Sequence, residues 1–480
     1  MRFKIVAYPV GWLFFLLGLS MIPSLLWSFY FNENIFPFVK AILISLALGG
    51  LLILLGDKEE EFTPKEGFGV VAFGWLGCAA LGALPYYFSG FFSQFVDCFF
   101  ESMSGFTTTG ASILKDIESL PKGILFWRDF THWLGGMGII VLSLAVLPAL
   151  GVGGMYLFKA EVPGPISEKI KPRVRETAKI LWEVYFIVSA TEVLLLYLGG
   201  MSFYESLCHT FGTVATGGFS PLNKSIGQYN NLYFEVVVTI FMFIAGANFA
   251  LHYRALKGDL RGFLKDEEFK FYATLAGGGI ALTTLFLYFG GNYDSLSSAL
   301  RYASFQVVSI LTTTGYVTTD YSLWHPFAQY FLLILMFIGG CAGSTGGAIK
   351  HVRILILLKS FKRELYRLVH PEAIISIKLN GKALPSDMIS SVLTFFVMYI
   401  LIFVFASIII ASMGYDLVTT IASVAATLGN IGPGLGKVGP VENYAFFHPL
   451  AKWILSFCMV AGRLELHAIL LIFLPETYRR

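Results

Sequence analysis

Long apolar runs alternate with short polar connections along most of the 480 residues. Ten of these runs reach the length of about 20 residues that a helix needs to cross the hydrocarbon core of a bilayer. We expect membrane-spanning helices near 9–31, 39–56, 68–89, 127–152, 178–199, 232–254, 269–291, 327–349, 388–413 and 449–475. The pattern therefore predicts an all-α integral membrane protein that crosses the bilayer many times.

Four shorter apolar stretches lie between the predicted spans, near 92–106, 202–213, 296–311 and 416–428. Each has only about 12–16 residues, which is too short to cross the bilayer but long enough for a half-helix that enters and leaves by one side. A short loop follows each stretch, and glycine recurs in all of these loops. The sequence thus predicts four re-entrant elements.

The four loops are similar to one another: FTTTGAS at 106–112, TVATGGFS at 213–220, LTTTGYVT at 311–318 and LGNIGPG at 428–434. Aligning them places Gly110, Gly217, Gly315 and Gly432 at one position, with spacings of 107, 98 and 117 residues. Such spacings predict four copies of a unit made of a helix, a half-helix, a loop and a second helix. The expected units are 63–158, 159–257, 258–370 and 371–480, after two leading helices in 1–62.

Loops of this kind suit the passage of a cation. Non-helical backbone at membrane depth is stable only where protein surrounds it or a watery cavity adjoins it, and four loops around one axis provide that cavity. Glycine lets successive carbonyls turn to one side, and threonine hydroxyls add oxygens that replace the hydration shell of a monovalent cation. A single loop would be equally well explained as an ordinary turn. The repeat favours a cation filter and leaves the choice between K⁺ and Na⁺ open.

Composition supports the membrane assignment and orients it. With 56% apolar and 14% charged residues, the chain is too poor in charge for a soluble protein. The 34 Lys and Arg nearly balance the 31 Asp and Glu, which excludes nucleic-acid binding by bulk charge. Of these basic residues, 25 lie in connections on the side opposite the Gly/Thr loops, so that side is expected to be cytoplasmic. The five cysteines and eight histidines show no metal-binding spacing, and we expect neither a metal site nor a cofactor.

A glycine-rich run, GGCAGSTGGAIK at 339–350, interrupts the eighth predicted span. Glycine costs about 1 kcal/mol relative to alanine inside a helix, so five glycines in nine residues argue against a regular one. One interpretation is a broken helix with a movable loop beneath the filter. The other is close helix packing of the GxxxG type. Lys350, at the end of the run, either bonds free carbonyls of that loop or serves as a cytoplasmic anchor.

Arg463 is expected to be the only basic residue deep within a span, where burial costs a few kcal/mol unless it meets water or a partner. It either projects below the filter as an electrostatic barrier or pairs with an acid such as Glu465. A membrane enzyme is disfavoured because no catalytic cluster, GxSxG or GxxxxGK[ST] motif is present. A secondary cotransporter of K⁺ with H⁺ or Na⁺ remains the alternative, although such folds are typically built from inverted repeats.

Beyond the four loops, four further segments carry a resemblance to a known family: HWLGGMG at 132–138, GANFALHY at 246–253, GGCAGSTGGAIK at 339–350 and AGRLELHAIL at 461–470. Together they closely resemble the TrkH subunits of the Trk/Ktr/HKT potassium transporter superfamily, over essentially the whole chain. The two leading helices are also similar to those of TrkH subunits.

The resemblance implies uptake of K⁺ as the transported ion, with moderate K⁺/Na⁺ selectivity, across the cytoplasmic (inner) membrane of a prokaryote. It implies a lipid-embedded homodimer and a cytosolic regulatory ring of the TrkA type that binds nucleotides, either NAD(H) or ATP/ADP. Neither enzymatic activity nor a nucleic-acid partner is expected. Passive conduction and ion-coupled symport both stay open.

The resemblance also assigns roles to residues. The filter would comprise Thr108, Thr109 and Gly110 in the first loop, Ala215, Thr216 and Gly217 in the second, Thr313, Thr314 and Gly315 in the third, and Asn430, Ile431 and Gly432 in the fourth. The gating residues would be Gly343, Ser344, Thr345, Gly346, Gly347, Lys350 and Arg463. For the glycine-rich run and for Arg463, the family resemblance favours the gate and the barrier, respectively.

Overall fold

The computed structural model describes residues 1–58, 64–137, 174–373 and 375–464 together with Pro475. The helices in these ranges are α1 (Phe3–Ser20), α2 (Ile22–Tyr30), α3 (Phe36–Leu55), α4 (Pro64–Gly82), α5 (Leu84–Ser89), α6 (Phe95–Phe106), α7 (Lys122–Gly136), α8 (Val174–Leu198), α9 (Phe203–Val214), α10 (Leu232–Ala245), α11 (Phe249–Leu256), α12 (Arg261–Lys265), α13 (Glu267–Phe289), α14 (Leu296–Leu311), α15 (Pro326–Ile338), α16 (His351–Val369), α17 (Ser386–Ser412), α18 (Leu417–Leu428) and α19 (Pro449–Arg463). A small antiparallel hairpin pairs β1 (Lys378–Leu379) with β2 (Lys382–Ala383).

Six segments of the described chain are long and apolar enough to cross a membrane. They are Phe3–Tyr30, Phe36–Leu55, Lys65–Ser89, Ala178–Leu198, Glu267–Phe289 and Ser386–Ser412. The protein is therefore an all-α, multi-pass membrane protein, as predicted. The predicted spans 127–152 and 449–475 begin with α7 and α19 and continue outside the described residues.

The structure corrects one predicted span. We expected a single helix over 232–254, but α10 and α11 meet at an angle of 102°. The break lies at Gly246–Asn248, where the Asn248 side chain accepts a hydrogen bond from the amide of Ala250 and so starts the second helix. An N-cap inside an apolar run ends the first helix and redirects the chain.

The predicted span at 327–349 is also shorter than expected. Helix α15 ends at Ile338, and Gly339 has a φ of 77°, in the left-handed region that glycine tolerates best. The chain resumes helical geometry only at His351. The interval 339–350, which we call the intramembrane loop, is therefore non-helical.

The four short apolar stretches form the helices α6, α9, α14 and α18, which have 12, 12, 16 and 12 residues. At 1.5 Å per residue they are about 18–24 Å long, less than the roughly 30 Å of the hydrocarbon core. Side chains of Ser202, Ser295 and Asp416 cap the N-termini of the last three. These four helices are called half-helices below.

The half-helices are arranged in a cycle. The helix that follows each loop packs against the next half-helix around the cycle: α7 on α9, α10 on α14, α15 on α18, and α19 on α6. The last contact joins the end of the described chain to its first unit and closes the cycle. The boundary between the first two expected units, at 158 and 159, lies outside the described residues, so the unit limits stay predictions.

Two seams of this cycle carry buried or half-buried ion pairs. Lys452 of α19 contacts Asp97 of α6 at 2.6 Å, and Arg301 of α14 contacts Glu235 of α10 at 2.6 Å. Arg128 of α7 is also buried. Bases other than Arg463 thus lie inside the protein, where acids pair with them, and the expected depth of Arg463 in a span stays a prediction.

The pair at the α19–α6 seam generates a prediction. Lys452→Ala removes the ammonium and leaves the Asp97 carboxylate buried without its cation, which should lower the free energy of unfolding by about 3–5 kcal/mol. Thermal or denaturant unfolding of the detergent-solubilised protein measures this change. Lys179→Ala is the matched control, because the Lys179–Glu183 pair is 74% and 55% exposed. It should change stability by at most about 0.5 kcal/mol, and equal effects of the two substitutions would contradict the prediction.

Candidate cation-conduction site

The loops that follow the half-helices share one backbone conformation. Two positions in each loop are left-handed: φ is 52°, 54°, 63° and 55° at Thr108, Thr216, Thr313 and Asn430, and 78°, 78°, 78° and 94° at Gly110, Gly218, Gly315 and Gly432. Non-glycine residues adopt positive φ infrequently, so four such residues at matched positions indicate one common design. We call Gly110, Gly218, Gly315 and Gly432 the ring glycines.

This conformation corrects the predicted register of the second loop. Gly217 was aligned with Gly110, but the second left-handed residue is Gly218. The main-chain hydrogen bonds support the same register. The amide of Thr109 donates to the carbonyl of Ser104, and the amide of Gly217 donates to the carbonyl of Gly212, in each case five residues earlier. The counterparts of Thr108, Thr109 and Gly110 are therefore Thr216, Gly217 and Gly218, and Ala215 belongs to the end of the half-helix.

The four ring glycines contact one another's loops in a closed cycle. A Cβ on each would meet the carbonyl oxygen that precedes the next ring glycine: Gly110 that of Gly217 at 2.0 Å, Gly218 that of Thr314 at 2.0 Å, Gly315 that of Ile431 at 1.9 Å, and Gly432 that of Thr109 at 2.7 Å. No Cβ fits at such distances, so glycine is required by close approach as well as by φ. The loops thus form a ring in which four carbonyls point at neighbouring loops.

Thr109 and Thr314 lie between the two left-handed positions of their loops, and their hydroxyls do not contribute to this ring. Thr107 donates to the carbonyl of Met103, so the 2.8 Å contact between its oxygen and Thr109 uses the Thr109 proton. In the third loop, Thr312 donates to Val308, and Thr314 therefore donates to Thr312. Both middle hydroxyls are held against their half-helices, which leaves main-chain carbonyls as the oxygens of this layer.

Side-chain oxygens collect at the other end of each loop, next to the half-helices. Thr108 Oγ1 and Asn430 Oδ1 are buried and accept no hydrogen bond from the described residues. Thr216 Oγ1 donates to the carbonyl of Ala215, and Thr313 Oγ1 accepts from the amide of Gly347. A buried oxygen without a donor is costly, which makes this layer suited to a cation.

The ring glycines form the floor of an outer cavity of about 340 Å³. Arg128 lies in its wall and is held by Glu101, with 2.6 Å between Nε and Oε1. The guanidinium also donates to the carbonyl of Ser220 at 3.0 Å, and Glu101 accepts from the amide of Ile113 at 2.9 Å. This pair ties the first loop to the second just outside the ring.

The intramembrane loop lies against the opposite side of the ring. Thr345 Oγ1 donates to the carbonyl of Val214, the last residue of a half-helix, at 3.0 Å. A Cβ on Gly347 would lie 2.5 Å from the carbonyl oxygen of Gly429 and 3.1 Å from Asn430 Oδ1. The loop therefore touches the ends of half-helices and the inner side-chain layer at once.

Buried charges hold this loop in place. Lys350 is 1% exposed, and its Nζ donates to the carbonyl of Gly346, which supports the bonding role over the anchoring one. Glu268 of α13 accepts from the amides of Ala342 and Val352 at 2.7 and 3.0 Å. The carboxylate thus joins the loop to the first turn of α16.

Arg463 closes the arrangement from α19. Its guanidinium donates to the carbonyl of Thr345 at 2.6 Å and to those of Gly135 and Gly136 at 2.9 and 2.8 Å. The partners are the intramembrane loop and the C-terminal end of α7, where carbonyls carry negative partial charge. Glu465, the alternative partner considered from the sequence, lies outside the described residues.

The structure brings the predicted residues of all four loops and of the glycine-rich run into one contiguous site, with the register change noted above. Sequence reasoning missed Glu101, Arg128 and Glu268. Their signal was present, because an ionisable residue inside an apolar segment is expensive and so marks a specific contact. In the ranges the structure describes, no group of His, Cys, Asp and Glu is placed to hold a metal ion.

Comparison with known proteins places these features in one family. The model of the family described as "TrkH: Cation transport protein" matches residues 34–477. Proteins named "Trk system potassium uptake protein TrkH" from Salmonella typhimurium and Escherichia coli K12 are each 42% identical over the full length of both chains. The crystal structure of the potassium transporter TrkH from Vibrio parahaemolyticus superposes with a TM-score of 0.90 at 36% identity, covering both chains completely. With its ring of glycine-bearing loops and this full-length similarity, the chain belongs to the TrkH family of cation transport proteins.

Proposed function

We propose that this protein takes up K⁺ across the cytoplasmic membrane of a prokaryote through the ring of four loops. The single observation that carries the proposal is the closed cycle in which each ring glycine lies against a carbonyl of the next loop. Relatives with 42% identity over the full length are named as potassium uptake proteins, which supports K⁺ as the ion. The role is transport, and no reaction is assigned to the chain.

The ring suits K⁺ for a physical reason. An ion sheds its water only where protein oxygens replace it, and the carbonyl layer and the inner side-chain layer supply such oxygens. The C-terminal ends of the half-helices add negative partial charge on the inner side, so cations are favoured over anions. Each loop has one ring glycine, which gives a short filter and moderate discrimination against Na⁺.

The intramembrane loop serves as the gate in this proposal. Its contacts with the inner side-chain layer, through Gly347 and Thr313, support a position across the inner end of the pathway. Arg463 holds Thr345 and sets a positive charge beside the route of a cation, so it acts as both clamp and electrostatic barrier. Opening requires these hydrogen bonds to break and the loop to move aside.

Regulation and assembly extend the proposal to partners. We expect a lipid-embedded homodimer whose cytoplasmic face binds a nucleotide-dependent ring of the TrkA type, responding to NAD(H) or ATP/ADP. The basic helix α16 supports this arrangement, because it begins where the intramembrane loop ends and carries Lys359, Lys362, Arg363 and Arg367 between its middle and its end. A partner that displaced α16 would pull on the loop.

The central test is ion flux in proteoliposomes that contain the purified protein. Imposed K⁺ and Na⁺ gradients, each with and without a pH gradient, should give K⁺ flux that exceeds Na⁺ flux and that runs down its own gradient. Uphill K⁺ movement driven by a proton or Na⁺ gradient would instead identify a cotransporter. A protein that carries neither cation would contradict the proposal.

Gly315→Ser tests the ring itself. Its Cβ would lie 1.9 Å from the carbonyl oxygen of Ile431, so the ring must open and the K⁺/Na⁺ flux ratio should fall by about tenfold, the change that 1.4 kcal/mol produces. Gly291→Ser is the matched control, because Gly291 has a similar φ of 73° but nothing within 4 Å of an added Cβ. An unchanged ratio in the first variant would count against this filter.

Arg463→Ala tests the gate. The substitution leaves three carbonyls without their donor and removes a positive charge. K⁺ flux through the protein alone should therefore rise several-fold. Arg254→Ala is the control, since Arg254 forms an exposed pair with Asp259, and the flux of this variant should match that of the unmodified protein. Equal flux in all three proteins would exclude the clamp and barrier roles.

A further inference from the structure

The fourth loop departs from the other three at its ring glycine. Gly432 has a φ of 94°, whereas the other ring glycines have 78°. A Cβ on Gly432 would lie 2.7 Å from the carbonyl oxygen of Thr109, compared with 1.9–2.0 Å at the equivalent contacts. The same Cβ would lie 2.7 Å from the carbonyl carbon of Gly110, so the fourth loop meets its neighbour in a shifted arrangement at this seam.

Tyr444 contacts the fourth loop at this glycine. Its hydroxyl donates to the carbonyl oxygen of Gly432 at 2.7 Å, a distance typical of a well-formed O–H···O bond. Burial raises the pKa of this phenol above its ordinary value, so the hydroxyl keeps the proton that it donates. Within the described chain, the carbonyls of Gly110, Gly218 and Gly315 receive no such hydrogen bond. Tyr444 thus singles out one of four otherwise equivalent oxygens.

The tyrosine is fixed on both sides, so it can impose a position on that carbonyl. Its amide donates to the carbonyl of Ser112 in the first loop at 2.8 Å. Its ring packs against Phe100 of a half-helix, with 5.6 Å between ring centroids, and against Phe447 at 5.8 Å. The residue spans the seam between the fourth and first loops and also lines the outer cavity.

We propose that Tyr444 is a positioning residue for ion selectivity, which holds the Gly432 carbonyl and so fixes the place of the fourth loop in the ring, next to the ring carbonyl of Ile431. The inference deepens the proposed transport function and rests on it. The direction of the effect follows from the spacing of the ring oxygens. The anchor keeps the fourth loop at a set distance from the first, so the ring does not contract around the smaller Na⁺.

The test compares Tyr444→Phe with the unmodified protein in proteoliposomes, using the ratio of Rb⁺ to Na⁺ influx. Loss of the hydroxyl should lower this ratio by about fivefold, which corresponds to one hydrogen bond of ordinary strength. Tyr321→Phe is the matched control, because Tyr321 is equally buried and its hydroxyl has no hydrogen-bond partner among the described residues. The control should keep the ratio of the unmodified protein.

A second variant keeps the aromatic ring and reverses the change. Replacing Tyr444 by 3,5-difluorotyrosine through nonsense suppression makes the hydroxyl a stronger donor, and the Rb⁺/Na⁺ ratio should rise. Ratios within twofold of the unmodified protein in both variants would overturn the role of Tyr444 while leaving K⁺ transport intact. An unmodified protein that carries no Rb⁺ or K⁺ would overturn the proposed function and this inference together.

Discussion

Main chain that leaves helical geometry inside a membrane must find a partner for every N–H group, and this constraint shapes the whole site. The loops satisfy it locally. The amides of Thr109, Gly217, Thr314 and Ile431 all return to carbonyls of their own half-helices. These amide donors are thereby paired with the half-helices, whereas the carbonyl oxygens of the ring remain without hydrogen bonds from these amides. The surplus of acceptors at the ring is thus a direct product of how the loops hide their donors.

The intramembrane loop obeys the same constraint with different means. Its Ala342 amide donates a hydrogen bond to the carboxyl group of Glu268, and its Thr345 carbonyl accepts one from the Arg463 guanidinium. These side chains take the place of water and of a regular helix, which explains why charges stand deep in an apolar chain. Because the loop also bonds to Thr313 in the ring of four loops, any movement of it changes the surroundings of the inner side-chain layer. The ring of four loops and the intramembrane loop are therefore mechanically coupled.

Much of this could be predicted from the sequence, and the limits have physical causes. Apolar length alone identified the half-helices, because length against bilayer thickness is a simple criterion. The register of the second loop was wrong because Gly217 and Gly218 are adjacent, and only φ shows which one is left-handed. The bend after α10 was missed because Gly246 and Asn248 lie in an otherwise apolar run. The contacts of Arg463 were beyond prediction, since its partners are backbone carbonyls that every sequence contains.

The two ion pairs between neighbouring helices and half-helices differ in which partner carries the positive charge. This difference distinguishes the two contacts. Lys452 and Glu235 both stand at the fourth residue of their helices, yet one presents a cation to the next half-helix and the other an anion. If α19 packed on α14, Lys452 would meet Arg301, and α10 on α6 would place Glu235 near Asp97. Like charges so close in an apolar setting cost several kcal/mol. At these two contacts, the charge of each helix therefore favours its observed neighbour over the other half-helix.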